Sequence, residues 1–290
     1  MTARLLNITD AEYFADPSIV PSLSQSIANI LIGQSPLHAW VAHPKLGNIP
    51  RKPTDATDEG TLLHALLLGK GMEKIEVIDH DEYRTNKAKE ARDNALAQGL
   101  VPIKRKDFDG IQSALMQIQA NIAVAGISLE GLNEVAFEWE EPGEHGPVIC
   151  RGKMDVVRPE LGEIVEVKKT RNANPENLRR PFTDYGYHVQ WASYVSCLEK
   201  LVPEFAGRVK FQFAFIELDP PYAVSVIEPS GAMRELGQRQ WSRAVKTWER
   251  CLKTNHWPGY GGQVARLEPL PWLMMDAMER ETEGEEEKAT

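Results

Sequence analysis

Apolar positions along this chain follow two different periods, and the change between them sets out the architecture. Up to about residue 124 the spacing is helical. "SLSQSIANILIGQSPLHAWVAHP" opens with serines suited to capping and continues with apolar residues on a helical stripe. "TDATDEGTLLHALLLGKG" predicts a helix from about Asp58 to Leu68, closed by Gly69 and Gly71. Asn86 to Gln98 and Lys106 to Val124 read as two more, the second with a core-facing stripe of Ile111, Leu115, Ile118 and Ile122. The pattern then shortens to β-rich runs separated by turn residues: "LNEVAFEWEE", "PVICRGKMDVVRP" and "GEIVEVKKT". "NPENLRRPFTDYGYHVQWASYVSCLEKL" returns to helix. Strands "RVKFQFAFIEL" and "YAVSVIEP" follow, joined by "DPP", then a long helix from Ser230 to Thr254 and an irregular end rich in Gly and Pro. The expected fold class is α/β, with a central mixed sheet of about five strands flanked by helices.

Composition narrows this without changing it. With 290 residues, 42% hydrophobic and 26% charged, the chain is long enough for a full core and has an ordinary globular balance. We expect one domain over residues 1–278, with a helical N-terminal part, and an acidic disordered tail over 279–290. That tail carries −4 of the net charge of −9, so the remaining body is still acidic at −5. A general nucleic-acid coat is disfavoured, and any DNA contact must come from a local basic groove or from metal ions. No apolar run reaches the ~18–20 residues of a membrane span, and "MTARLLNITDAEYFADP" has no signal-peptide core, so the cytoplasm is the expected location and no membrane partner is expected. Cys150, Cys197 and Cys251 are far apart with no CxxC pair, which indicates neither a zinc ribbon nor a disulfide framework.

Charge inside two of the β-rich runs is the feature that bears on chemistry. "RGKMDVVRPELGEIVEVKKT" places Asp155 and Glu166 on strands that a turn at "RPELG" can pair, and Glu166 and Lys168 share a strand face. Converging carboxylates are costly in a plain core, whereas a Mg²⁺ or Mn²⁺ ion takes such oxygen ligands. A metal held by Asp155, Glu166 and the Val167 carbonyl would polarise a phosphate, with Lys168 orienting or deprotonating water or neutralising transition-state charge. The spacing is equally compatible with a solvated hairpin of surface ion pairs. Gln190 and Tyr194 form an i, i+4 pair on the following helix, suited to a phosphate or the lysine or simply a polar helix edge. His64 lies within the apolar run "TLLHALLL", where it needs a partner or stays neutral.

Read in order, Gly60-Thr-Leu-Leu-His64-Ala-Leu-Leu67, Gly152-Lys-Met-Asp155, Glu166-Val-Lys168-Lys-Thr170 and Gln190-x-x-x-Tyr194 resemble the PD-(D/E)XK nucleases of the RecB and lambda-exonuclease type. The likeness is greatest to the RecE-like exodeoxyribonuclease VIII branch of phages and prophages, whose opening Ser-rich helix and "SP" element "SLSQSIANILIGQSPLHAW" also resembles; it covers roughly Ala11 to Pro229. The chain departs in using Glu where the family more often has Asp before x-K-T.

The resemblance implies a restriction-endonuclease-like fold and a Mg²⁺-dependent exonuclease, with Mn²⁺ able to substitute, acting on linear duplex DNA in the 5′-to-3′ direction. It implies Asp155 and Glu166 as metal ligands with the Val167 main-chain carbonyl, His64 as a further ligand and Glu134 as a weaker one. Lys168 would be catalytic, with Gln190 and Tyr194 bracing the site. DNA contacts are expected from Arg151, Lys169, Thr170, Arg179 and Arg180, with weaker candidates in Lys104 and Arg105; Lys106 and Arg171 add charge nearby. Duplex DNA ends, a single-strand annealing protein and a homo-oligomeric ring are the implied partners, in a bacterial or phage-infected cell. The four clustered cysteines of the iron–sulfur relatives are missing, so no such cluster is expected. Two alternatives share much of this pattern: a metal-dependent endonuclease of defence or repair, and a non-catalytic DNA-end-binding recombination protein.

Overall fold

The structure, a computed structural model, describes residues 2–49, 55–262, 264 and 266–286, with side chains left undescribed at 55–58, 279 and 281–286. Two compact units emerge, Met1–Gly259 and Tyr260–Thr290. The first unit ends in the Pro- and Gly-rich run "WPGYGG", which sustains neither helix nor strand.

In the first unit the chain begins with β1 (Ala3–Leu6), α1 (Asp10–Phe14) and β2 (Leu23–Ser24), followed by α2 (Gln25–Gly33) and α3 (Pro36–Ala42). The single capped stripe read from sequence is therefore two helices. Gln34 leaves helical geometry, Ser35 accepts from the His38 N–H at 3.4 Å, and Pro36, which has no N–H to give, starts the new helix. Next come α4 (Asp55–Leu68), β3 (Ile75–Ile78), α5 (Asn86–Ala97), β4 (Val101–Lys104) and α6 (Arg105–Val124). β3 and β4 form a small parallel pair of their own.

The main sheet uses β5 (Leu132–Pro142), β6 (Pro147–Arg158) and β7 (Glu163–Thr170). After α7 (Pro175–Asp184) and α8 (Tyr187–Leu201) it is completed by β8 (Lys210–Glu217) and β9 (Val224–Ile227), and α9 (Gly231–Thr254) closes the unit. The second unit contains α10 (Pro271–Glu286), so helix runs through much of the stretch expected to be a disordered tail; residues 287–290 lie outside the described residues. Glutamate is a good helix former, which offsets the charge repulsion on which the disorder expectation rested.

Strand order is β1-β5-β6-β7-β8-β9, with β2 added alongside β6, making seven strands. The β7–β8 pair is parallel and the β5–β6 and β6–β7 pairs antiparallel, so the sheet is mixed, as expected. The two strands beyond the expected five are only four and two residues long, too short to show a period. Alternation along β8 sends Phe211, Phe213 and Phe215 to one side and Ala214 and Ile216 to the other. The phenylalanine side packs against α2, α8 and α9 through Ile27, Leu198 and Trp248, and the other against α4 and α6 through Leu63 and Ile118. Helices thus cover both faces and hold the sheet rigid around its centre. Among the described residues no helix is long and apolar enough to cross a membrane.

Candidate active site

The site begins where β6 and β7 part. Their antiparallel ladder runs Arg158↔Glu163, Val157↔Ile164, Val156↔Val165 and then stops. One step further, Asp155 and Glu166 fill the fork with their side chains. The Val167 N–H donates to Asp155 Oδ2 at 2.8 Å, and the Asp155 N–H donates to Glu166 Oε1 at 3.1 Å. Carboxylates therefore satisfy backbone groups that a continued ladder would have paired. Beyond the fork β7 continues against β8 to Thr170↔Glu217, while β6 stays with β5.

A second gap lies on the other side of Asp155. The β5–β6 ladder pairs Asn133↔Val156 and Val135↔Met154 but skips the step between, where Glu134 faces Asp155. Glu134 has φ +52°, a left-handed conformation uncommon for a side chain of its size. Packing along β6 also changes parity here. Val148, Cys150 and Met154 join the phenylalanine-side core, but Val156 joins the opposite one. Glu134, Asp155 and Glu166 consequently form a row across three adjacent strands, at two consecutive breaks in the pairing. Strain of this kind persists where surrounding structure enforces it, commonly at functional sites.

α4 brings His64 over this row. Its Nδ1 lies 3.2 Å from Glu134 Oε1 and 3.7 Å from Asp155 Oδ1, and its Nε2 lies 3.0 Å from the Val167 carbonyl oxygen. From below, Lys168 Nζ donates to Glu166 Oε2 at 2.7 Å and stands 3.6 Å from Asp155 Oδ2. Gln190 on α8 donates to the same Glu166 oxygen at 2.7 Å. Tyr194, one turn later, is buried, and its hydroxyl donates to the Lys153 carbonyl at 2.9 Å, so it braces β6 and does not itself reach the carboxylates. Gly152 makes room for it, since a Cβ there would come within 2.6 Å of Tyr194 Cε1.

Charge is dense and nearly balanced. Burial alone would lower the His64 pKa, but Asp155 and Glu134 outweigh it and raise it to about 9. Burial works to raise Glu134, yet hydrogen bonds and charge from His64 and Lys153 hold it at about 2. Glu166 goes the other way: burial first, and Asp155 second, raise it to about 7 against the pull of Lys168. Lys168 resists the effect of its own burial because Asp155 and Glu166 raise its pKa, which keeps it an ammonium. Of the roles open to Lys168 from sequence, a charged donor is therefore the one its surroundings favour over a base.

Two partners were not picked out from sequence. Lys153 is ion-paired with both Glu134 and Asp10, the latter at 2.9 Å, and Asp10 also pairs with Lys74. Lys153 sits two residues before Asp155, so strand parity carried that signal; the contribution of α1 did not show in the sequence. Tyr187 was also missed: Lys168 Nζ stands 5.8 Å from its ring centroid.

The expected DNA-contacting residues are scattered in their placement. Arg151 is a correction: it is buried, donating to the Ser22 carbonyl at 3.0 Å and the Ser22 hydroxyl at 2.6 Å, and paired with Asp16 at 3.2 Å. Its position on β6 turns it inward onto the chain between α1 and β2, where its partners belong to the fold itself. Lys169 pairs with Glu59, and the Thr170 hydroxyl donates to the Asn172 carbonyl at 3.0 Å, both close to the fork. Arg179 and Arg180 are exposed on α7 and pair with Glu176 and Asp184 within their own helix. Lys104 pairs with Asp107, and Arg105 with Asp79, on the separate β3–β4 layer.

Among the described residues, His64, Glu134 and Asp155 are a set able to hold a metal, with ligand atoms all within 4.8 Å of one another. Carboxylate and carbonyl oxygens with one imidazole suit a hard or borderline divalent cation. The carboxylates of Glu134 and Asp155 supply the negative charge such a cation needs, and in this structure that charge is met by His64, Lys153 and Lys168. Glu166, fully engaged with the Asp155 N–H, Lys168 and Gln190, lies one step removed from this set.

An acid on each arm of a strand fork, with Glu-x-Lys on the second, defines the PD-(D/E)XK class of fold. The chain belongs to the family described as "PDDEXK-like domain of unknown function (DUF3799)", whose model matches residues 33–268. Its fold is similar to the crystal structure of the "Putative exonuclease" from Eubacterium rectale, with a TM-score of 0.57 and 13% identity over 93% of this chain and 98% of that one. Curated proteins give no match.

Proposed function

We propose that this protein is a divalent-metal-dependent deoxyribonuclease that hydrolyses phosphodiester bonds of linear duplex DNA from its ends. The observation that carries the reading is the row Glu134–Asp155–Glu166 across two broken ladders, with His64 above it and Lys168 below. Membership of the PDDEXK-like family supports the chemistry, and the name given to the E. rectale structure supports an exonuclease.

His64, Glu134, Asp155 and the Val167 carbonyl would hold the cation, with Glu166 at its edge. When bound, Mg²⁺ or Mn²⁺ supplies Lewis-acid polarisation of a phosphate oxygen and a lowered pKa for water. Lys168 stays protonated and presents its ammonium where negative charge accumulates on the phosphoryl oxygens during attack. Gln190 fixes the Glu166 carboxylate, which in turn fixes Lys168. Tyr194 and Gly152 hold the β6 backbone so that Asp155 keeps its place in the fork. The RecE-like resemblance extends the proposal to 5′-to-3′ degradation in phage-type recombination, alongside an annealing protein and in a ring of identical subunits.

The test is a linear duplex labelled at 5′ or 3′ ends, set beside a covalently closed circle, in Mg²⁺ and in EDTA. Mg²⁺-dependent loss of the 5′ label with the circle intact is the expected result. Cleavage of the circle would make the enzyme an endonuclease, and binding without cleavage of either would leave only an end-binding protein.

A further inference from the structure

An aromatic run leads from the core to Lys168 and ends in an exposed ring. Phe213 and Phe215 on β8 and Phe182 on α7 meet Tyr187, with ring centroids 5.6, 5.5 and 5.7 Å away. Tyr187 carries Lys168 on its face and is followed outward by Tyr185, whose ring lies 5.8 Å from it at 38° and is 66% exposed. A lone exposed aromatic needs no explanation, but this one is unusually well held. The Tyr185 N–H donates to the Pro181 carbonyl at 2.9 Å, and its own carbonyl accepts from Asn29 Nδ2 at 2.9 Å. The next residue, Gly186, has φ +68°, and a Cβ there would overlap the Asn29 side chain. A protruding ring on a fixed backbone, backed by a second ring that touches the catalytic lysine, is a preorganised surface.

We propose that Tyr185, backed by Tyr187, is the stacking platform for a base of the DNA strand being hydrolysed; this rests on the nuclease reading above. Base–aromatic stacking is tolerant of sequence because every base has a π-face, which suits an enzyme that degrades whatever sequence reaches it. Two steps of 5.8 Å separate Lys168 Nζ from the Tyr185 ring. With a strand rise of ~3.4 Å per nucleotide, the stacked base belongs within about three nucleotides of the scissile phosphate. Tyr185 is a positioning residue in this account. It touches a base and not the reacting atoms.

The experiment compares wild type, Tyr185→Ala and Tyr185→Phe on linear duplex in Mg²⁺. In parallel it reads fluorescence of 2-aminopurine placed at each of the first three nucleotides, with Ca²⁺ replacing Mg²⁺. Tyr185→Ala is expected to raise KM ~10-fold, with a smaller change in kcat, and to lose the quenching that wild type and Tyr185→Phe both show. All three proteins are expected to melt alike, because the ring is exposed. Tyr185→Ala with the KM of wild type, or with undiminished quenching, overturns the platform and leaves the nuclease reading standing. A wild type that cleaves no DNA overturns both.

Discussion

Glu166 is held in the fork at the expense of folding, and its titration gives the sharpest physical test of the site. In the metal-free protein its pKa is raised from 4.5 to about 7 by burial and by Asp155. Between those two values the folded protein keeps a proton that the unfolded chain has lost. Stability must therefore fall as pH rises through this window, by an amount on the order of a few kcal/mol. The depressed acids Asp10, Glu12, Asp16, Glu134 and Glu249 act below their ordinary values of 3.8 and 4.5, and so below this window. His64, raised to about 9 from 6.5, acts almost entirely above it. Glu166→Gln removes the titrating group, so its stability is expected to stay nearly level from pH 4.5 to 7. Urea denaturation in EDTA across pH 4.5 to 8 reads this directly from the midpoint. A wild-type midpoint that is flat or rises over the window, or a Glu166→Gln slope equal to that of wild type, refutes the reasoning. The same substitution is expected to abolish cleavage.

Further outcomes follow from the same contacts. Arg151→Met leaves buried Asp16 without its cation and is expected to destabilise by ~3–5 kcal/mol in urea, whereas Arg180→Ala, 90% exposed, changes stability by no more than about 0.5 kcal/mol. Asp16 is held at about 2 against the effect of burial by His43, Arg151 and Ser22. Its contribution, present above pH 3.8, is expected to be lost as pH falls towards 2, and acid denaturation of Asp16→Asn should lack that component. Gly186→Ala combines a positive φ with overlap on Asn29 and is expected to cost about 1–3 kcal/mol, with Asn29→Ala recovering only the steric part. Mn²⁺ is expected to raise the melting temperature of wild type in proportion to the logarithm of its concentration, an effect missing in Asp155→Asn.

How far the sequence alone could go is clearest around the fork. Five strands were legible because each lies in a β-rich run bounded by turn residues, and Glu166 and Lys168 were legible as partners because they are two apart on one of them. Asp155 was legible through the turn that pairs its strand with theirs. Glu134 entered only through the family resemblance, as a weaker ligand, because its place in the row depends on a left-handed residue and a skipped ladder step, which local pattern does not encode. Arg151 misled for a related reason: a charge on a strand looks like a surface charge until β2 and α1 cover it. Helices read as continuous broke at Ser35-Pro36 and at Tyr185-Gly186, where one Pro and one positive-φ Gly reset the direction. The second break is what leaves Tyr185 exposed beside the site.

The central claim is that the fork holds a divalent cation and that Lys168 stabilises charge on the phosphate beside it. Initial rates of nucleotide release from linear duplex, for wild type and Lys168→Ala in Mg²⁺ and in EDTA, test it most directly. The account expects release by wild type only in Mg²⁺, and a loss of ~10²–10³-fold in kcat for Lys168→Ala, as for removal of a charge-stabilising donor. Release that persists in EDTA, or a Lys168→Ala rate equal to that of wild type, would contradict it.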